Sequence, residues 1–182
     1  GDLVREERYE DAIPHLKRLA SDEENGANVH FTLALVFYEL ERFNESQDNV
    51  HRALSLGYED KASAYFQLGL IDEQLKMMGS AANWFASVPR GTRFVEAQKR
   101  LAKIKFTLDG LKPTIDYLTK RSMDNPEYFV VFVELQGMIY REAGAMDDYF
   151  RVLDEGLAKR PKEPSLLYSS AMAAEQLGLI DV

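Results

Sequence analysis

The chain has 182 residues, of which 46% are hydrophobic and 29% are charged, with a formal net charge of −8 and no cysteine. This composition argues against disorder, and the lack of cysteine excludes disulfides and thiolate metal sites. No apolar run approaches the roughly 20 residues that span a bilayer. Residues 1–60 carry 14 acidic and 6 basic side chains, whereas Arg90–Arg121 carries nine basic and three acidic ones. This distribution predicts either two solvated faces or one surface with an acidic end and a basic middle.

Small side chains recur at a nearly constant interval along the chain, at Ala34, Gly69, Ala102, Gly137 and Ala171. A second set, in which each residue is followed four positions later by a large apolar one, runs Ala12, Ser46, Ala81, Thr114 and Tyr149. Two helices approach closely only where side chains are small, and a large residue one turn later fills the gap. The pattern therefore predicts antiparallel helix pairs with a period of about 34 residues.

In chain order, this period predicts a lone second helix first, then four complete pairs, then a lone first helix. The predicted units are residues 1–26, 27–61, 62–94, 95–129, 130–163 and 164–182 of a single array. Pro14 falls inside the first predicted helix, where it removes a backbone hydrogen bond, so we expect a bend there.

The run FVVFVELQGMIY, residues 129–140, is the most strand-like stretch of the chain. Its β-branched residues lower helix propensity by a few tenths of a kcal/mol each. Val130, Val133, Gly137 and Tyr140 nevertheless form a stripe at helical spacing, suited to a partner helix. We therefore predict a core helix, because burial on two faces outweighs the propensity cost.

These features resemble the tetratricopeptide repeat, a pair of antiparallel helices with a repeat length of about 34 residues. The family's Leu-Gly pair matches Leu68-Gly69, and its closing proline matches Pro126 and Pro161. The resemblance implies an all-α fold, a right-handed α-solenoid whose first helices line a concave groove. Departures occur at Tyr149, where the family has a small residue, at Asp72 and Lys105, where it has an aromatic, and at Gln136 and Ser170, where it has Leu.

One stripe of the first helices is not used for packing and should face the groove. It mixes aromatic and Met side chains with isolated charges, as suits a surface that holds a peptide or a helix. Its members are Phe31, Leu35, Tyr38, Phe66, Leu70, Glu73, Lys99, Lys103, Phe106, Glu134, Met138, Arg141, Tyr168 and Met172.

The resemblance implies a protein-interaction scaffold that serves the assembly of a larger complex. Lys99, Lys103 and Arg141 favour a partner segment that is apolar with acidic residues. Some members of the family grip C-terminal carboxylates with paired Lys, Arg and Asn. Because Leu35 and Leu70 stand where those Asn residues would be, we do not transfer that function.

No enzymatic motif occurs in the chain. His15, His30 and His51 are scattered without metal-ligand spacing, and neither a phosphate-binding glycine loop nor a nucleophile elbow is present. We therefore expect no catalytic activity, no metal and no cofactor in this chain.

Two alternatives to a protein scaffold stay open. Pentatricopeptide arrays bind single-stranded RNA with helix pairs of similar period, and Lys99, Arg100, Lys103 and Lys105 give that function some basis. A pI near 5.0 opposes it, because acidic residues repel phosphates. The other alternative is a structural spacer beside a domain outside this sequence.

The chain opens within the repeat pattern, with GDLVREE, so we interpret it as a piece of a longer protein. The last predicted helix presents Leu167, Ala171 and Ala174 without a second helix to cover them, which predicts self-association through this face. Units such as RYEDAIPHLKRLA resemble bacterial envelope-associated tetratricopeptide proteins. This resemblance favours a periplasmic or envelope location over the cytoplasm.

Overall fold

A computed structural model of the chain describes residues 2–20 and 26–176. These residues contain helices only, without a β-strand. The helices are α1 (Asp2–Leu19), α2 (Gly26–Glu39), α3 (Phe43–Ser55), α4 (Lys61–Gln74), α5 (Met78–Ser87), α6 (Phe94–Asp109), α7 (Leu111–Asp124), a 3₁₀ turn (Pro126–Tyr128), α8 (Phe129–Glu142), α9 (Met146–Lys159) and α10 (Pro164–Gln176). The predicted all-α class of successive helix pairs is confirmed.

By its internal contacts the chain divides into two compact units, Gly1–Leu101 (unit 1) and Ala102–Val182 (unit 2). In unit 1, α2 packs on α3 and α4 packs on α5, as the period predicts. In unit 2, α8 packs on both α7 and α9, and α10 packs on α9. The grouping of the six repeat units into a single array stays a prediction.

The core of unit 1 is built from the predicted small residues and the large ones that follow them. Ala34 and Val50 are fully buried, as are Leu68 and Phe85 on the next helix pair. Ser46 occupies a small-residue position and donates its hydroxyl hydrogen to the Ala34 carbonyl oxygen at 2.6 Å. This bond satisfies a polar group at a buried crossing, where an unpaired hydroxyl would be destabilising.

The strand-like run FVVFVELQGMIY lies within α8, so the prediction of a core helix is correct. Phe132 and Ile139 are fully buried. Val133 joins Leu153 and Leu166 in a cluster that connects α8 to α9 and α10, and Val130 and Tyr140 pack against it. Burial on two faces therefore outweighs the weak helix propensity of the valines.

The turn within each pair contains one residue of left-handed backbone at a fixed place in the repeat. These residues are Glu41 (φ 57°), Lys76 (φ 62°), Gly110 (φ 82°) and Gly144 (φ 73°), separated by 35, 34 and 34 positions. Glycine adopts this conformation without strain, whereas other residues are destabilised in it by about 1–3 kcal/mol. Because two of the four positions are not glycine, the sequence identifies only two of these left-handed turns.

Two departures from the expected pattern are accommodated by local contacts. Asp72 is fully buried and accepts hydrogen bonds from Gln47 Nε2, at 2.8 Å, and from the Ser80 hydroxyl. Its carboxylate thereby links α4 to α3 and α5, where the repeat pattern has an aromatic ring. Pro14 lies inside α1, which continues through it to Leu19, so the repeat is not broken there.

At the end of the described residues, α10 leaves apolar surface exposed. Leu167 is 48% exposed, and Ala171 is also exposed. Within residues 2–20 and 26–176, no helix combines the length and the hydropathy needed to cross a bilayer.

Candidate functional site

On α2, the predicted stripe consists of two supported aromatic rings with an exposed leucine between them. Phe31 stacks on Tyr58 with 4.4 Å between ring centroids, and Tyr38 meets Phe43 edge to face at 5.6 Å. Leu35 is 41% exposed. Burial, with a smaller contribution from the charge of Asp60, raises the pKa of Tyr58. The aromatic rings are thus held in place by neighbouring elements while Leu35 projects into solvent.

On α4, Phe66 is only 7% exposed and lies beneath charged side chains. It packs edge to face on Phe85, with 5.6 Å between ring centroids. The guanidinium carbons of Arg93 and Arg100 lie 5.3 and 6.0 Å from the Phe66 ring centroid. Two cations over one ring give favourable cation–π contacts. Phe66 therefore supports this surface more than it offers an apolar contact of its own.

Arg100 connects the stripe on α4 to α6. Its Nη1 donates to Glu73 Oε2 at 2.7 Å, and its Nε lies 3.3 Å from Glu96 Oε1. Sequence reasoning placed Glu73 in the stripe but missed the role of Arg100, next to the exposed Lys99. The available signal was weak, because it consisted only of opposite charges on successive first helices.

In unit 2, the stripe members are mostly accessible. Lys103 and Arg141 are exposed, and Phe106, Glu134 and Met138 are half-buried. On α10, Tyr168 is 68% exposed and Met172 is 38% exposed. The members within each unit lie on first helices as predicted, and their joint function stays a prediction.

Several cations of the basic segment are already paired with carboxylates. Lys105 Nζ lies 2.6 Å from Asp109 Oδ2 and 5.4 Å from the Tyr117 ring centroid. Lys112 forms a similar pair with Asp116 at 2.9 Å. Together with Arg100, these pairs reduce the positive charge that is available to an external anion.

The described residues contain no group of three or more His, Asp and Glu side chains that would hold a metal ion. His30 Nδ1 lies 2.8 Å from Asn49 Oδ1, which accepts the hydrogen bond. His15 and His51 are exposed.

Comparison with known proteins supports the resemblance to tetratricopeptide repeats. No family model matches the chain. The TPR repeat-containing protein PA4667 of Pseudomonas aeruginosa is 25% identical over 114 residues, which cover 63% of this chain and 19% of that protein. The chain thus matches about a fifth of the length of this curated relative.

Two solved structures of other proteins have the same fold as this chain. The crystal structure of MamA matches with a TM-score of 0.60 and 17% identity, over 85% of this chain and 90% of that one. YrrB, described as a TPR protein with an unusual peptide-binding site, matches with a TM-score of 0.54 and 15% identity, over 90% of this chain and 84% of that one. The helix pairs described above are therefore tetratricopeptide repeats in fold.

Proposed function

We propose that this chain, whose helix pairs have the tetratricopeptide repeat fold, is a protein-interaction scaffold without catalytic activity. Its stripe of first-helix side chains binds a peptide or helix of a partner, in the assembly of a larger complex. The partner segment is apolar with acidic residues. Apolar contacts supply most of the affinity, and the basic residues set orientation and association rate.

The observation that carries this proposal is the pair Lys99 and Lys103 on α6. Both are exposed, one turn apart on the same helix face, and neither forms an ion pair within the described part of the chain. Two unpaired ammonium groups at this spacing can reach one ligand. The peptide-binding site in the description of YrrB supports a ligand of this kind for the same fold.

Single-stranded RNA is the second candidate because α6 carries four basic residues. Two of the four, Arg100 and Lys105, already bind carboxylates. Binding of a nucleic acid depends on neutralising phosphates with free cations. These pairs, with the acidic first third of the chain, favour a protein partner over RNA. The third candidate, a structural spacer, predicts no ligand at all.

The test measures binding of a fluorescently labelled peptide of alternating Leu and Glu by anisotropy at low ionic strength. Lys99→Glu combined with Lys103→Glu should weaken binding roughly tenfold, because two attractions become repulsions. Far-UV circular dichroism should be unchanged. A peptide of alternating Leu and Lys is the charge control, and a labelled uridine oligonucleotide tests the RNA function.

Three outcomes would contradict the proposal. If the doubly reversed protein held the Leu-Glu peptide as tightly as wild type at low salt, the stripe would not be its site. Wild-type protein that binds the uridine oligonucleotide, and loses it on charge reversal, would favour RNA. A wild-type protein that binds none of the three probes would favour the spacer.

A further inference from the structure

We propose a second docking site in unit 2, which holds a large apolar side chain flanked by carboxylates in a partner peptide. The site is a cleft of about 470 Å³ between the C-terminal halves of α7 and α9, with the 3₁₀ turn and α8 as its floor. This volume is within the range of about 300–1,000 Å³ that is typical of ligand pockets.

The cleft opens on a different side of α8 from the predicted stripe. Phe129, Val133 and Gln136 line the cleft, whereas the stripe members on the same helix are Glu134 and Met138 together with Arg141. With about 100° per residue, the centres of the two sets are roughly 140° apart around the helix. The cleft is thus a surface separate from the one to which the proposed function is assigned.

Apolar side chains of α8 and α9 line the cleft beside Gln136, and the cleft leaves room for an additional side chain. Val133 and Val152 are 4% and 8% exposed, and Phe129 is half-buried. On α7, the wall consists of the short side chains of Thr119 and Ser122. Beside them, Met123 is 75% exposed, the largest exposed fraction among the large apolar residues described. An apolar ligand side chain would cover surface that is now in contact with water.

Two cations without carboxylate partners stand at the edge of this cleft. Lys159 Nζ lies 5.3 Å from the Phe129 ring centroid, and Arg160 follows it at the end of α9. Neither forms an ion pair within the described residues, in contrast to Arg100 and Arg151, which bind carboxylates. Glu155 is the one carboxylate among the described residues that line the cleft.

These charges decide which occupant fits. An apolar anchor in the cleft brings the neighbouring residues of its peptide close to Lys159 and Arg160. Acidic neighbours would pair with these cations, whereas basic neighbours would be repelled. The partner is therefore a peptide in which Phe or a similarly large apolar residue lies between Asp or Glu residues.

The experiment titrates the ¹⁵N-labelled protein with the peptide Ser-Asp-Glu-Phe-Glu-Asp-Ser and follows the backbone amide shifts. Saturable shifts should centre on Ser122, Phe129 and Lys159. Replacing the peptide's Phe by Ala, or its acidic residues by Lys, should weaken binding at least about fivefold. The first change removes the apolar anchor, and the second replaces attraction to Lys159 and Arg160 by repulsion. No saturable shift in this region, or equal binding of all three peptides, would overturn the proposal.

Protein variants assign the site. Lys159→Glu with Arg160→Glu should weaken binding roughly tenfold, and Ser122→Trp should abolish it by filling the cleft. The matched control is Arg52→Glu with Lys61→Glu, which reverses the same number of charges at two exposed residues outside both the cleft and the stripe and should leave these shifts unchanged. Thermal melting shows whether each variant is folded. If both charge reversals weakened binding equally, or if folded Ser122→Trp bound as wild type does, the cleft would not be the site.

Discussion

The helix pairs α4–α5 and α8–α9 are packed in the same way at the point where their helices cross, but different positions supply the aromatic ring. Each has a glycine at the crossing, Gly69 or Gly137, with an aromatic ring over it. In α4–α5 the ring is Phe85, which follows the small residue Ala81 by one turn. In α8–α9 the ring is Tyr149, which stands at the small-residue position itself. The ring therefore comes from one helical turn earlier in the second pair.

This difference explains why the departure at Tyr149 does not break the repeat. What the crossing requires is that the volume vacated by glycine be filled. Either of two positions on the second helix can supply the ring, and Leu153 is buried one turn after Tyr149. The repeat thus preserves packed volume at the crossing more strictly than it preserves a residue type at one position.

The ring lies closer to the glycine at the Gly69 crossing than at the Gly137 crossing. Substitution of Gly69 should therefore cause the largest loss of stability. A Cβ at Gly69 would lie 2.5–2.8 Å from ring atoms of Phe85, a residue that is fully buried. Gly69→Val should therefore lower the free energy of unfolding by about 3 kcal/mol, measured by urea denaturation. Gly79 is the matched control, because its position in α5 has no atom near the added Cβ. Gly79→Ala should leave stability unchanged or raise it by up to about 1 kcal/mol.

The crossing at Gly137 should tolerate a side chain better. A Cβ there would lie 3.0 Å from Tyr149 Cε2, and Tyr149 is 7% exposed, so its ring can move slightly toward solvent. We expect Gly137→Val to cost about 1–2 kcal/mol in the same denaturation experiment. A cost equal to that of Gly69→Val would show that ring mobility makes no difference. No cost would contradict a close contact at this crossing.

The first turns of α4 and α8 differ as well, because only α4 has a side-chain N-cap. Removing this cap should cause the smallest loss of stability. The Asp60 carboxylate accepts a hydrogen bond from the Ser63 backbone N–H at 3.0 Å, whereas α8 follows a 3₁₀ turn and has no side-chain cap. Hydrogen bonds from Ser63 are the main cause that lowers the pKa of Asp60. Asp60→Ala should cost about 1 kcal/mol at neutral pH.

The pH dependence of this effect has a definite sign. Because the folded-state pKa of Asp60 is lowered, its contribution is complete above the unfolded-state pKa of about 3.9 and is lost as the pH falls through the folded-state value. The stability difference between wild type and Asp60→Ala should therefore shrink in acid. Urea denaturation of both proteins at neutral and acidic pH measures this difference. A difference independent of pH would show that the charge of the Asp60 carboxylate does not contribute to stability.

The helix pairs and their period could be predicted from the amino-acid sequence. Gly69 and Gly137 could be assigned as crossing residues because close helix packing allows few side chains, and this restriction recurs with every repeat. The strand-like run in α8 was assigned correctly for the same reason, since the repeat outweighed its local propensity. The stripe on the first helices followed from helical spacing, although spacing could not show that Phe66 lies beneath two guanidinium groups.

The contacts between side chains of different helices could not be predicted in this way and were found in the folded structure. Examples are the pairing of Arg100 with Glu73, the burial of Asp72 between Gln47 and Ser80, and the contact of Lys159 with the Phe129 ring. Each of them joins residues of different helices. Such contacts depend on rotamers and on the distance between helix axes, which a period does not encode. The left-handed turns at Glu41 and Lys76 could not be predicted from the sequence either. Packing of the flanking helices imposes a backbone conformation there that neither residue type favours.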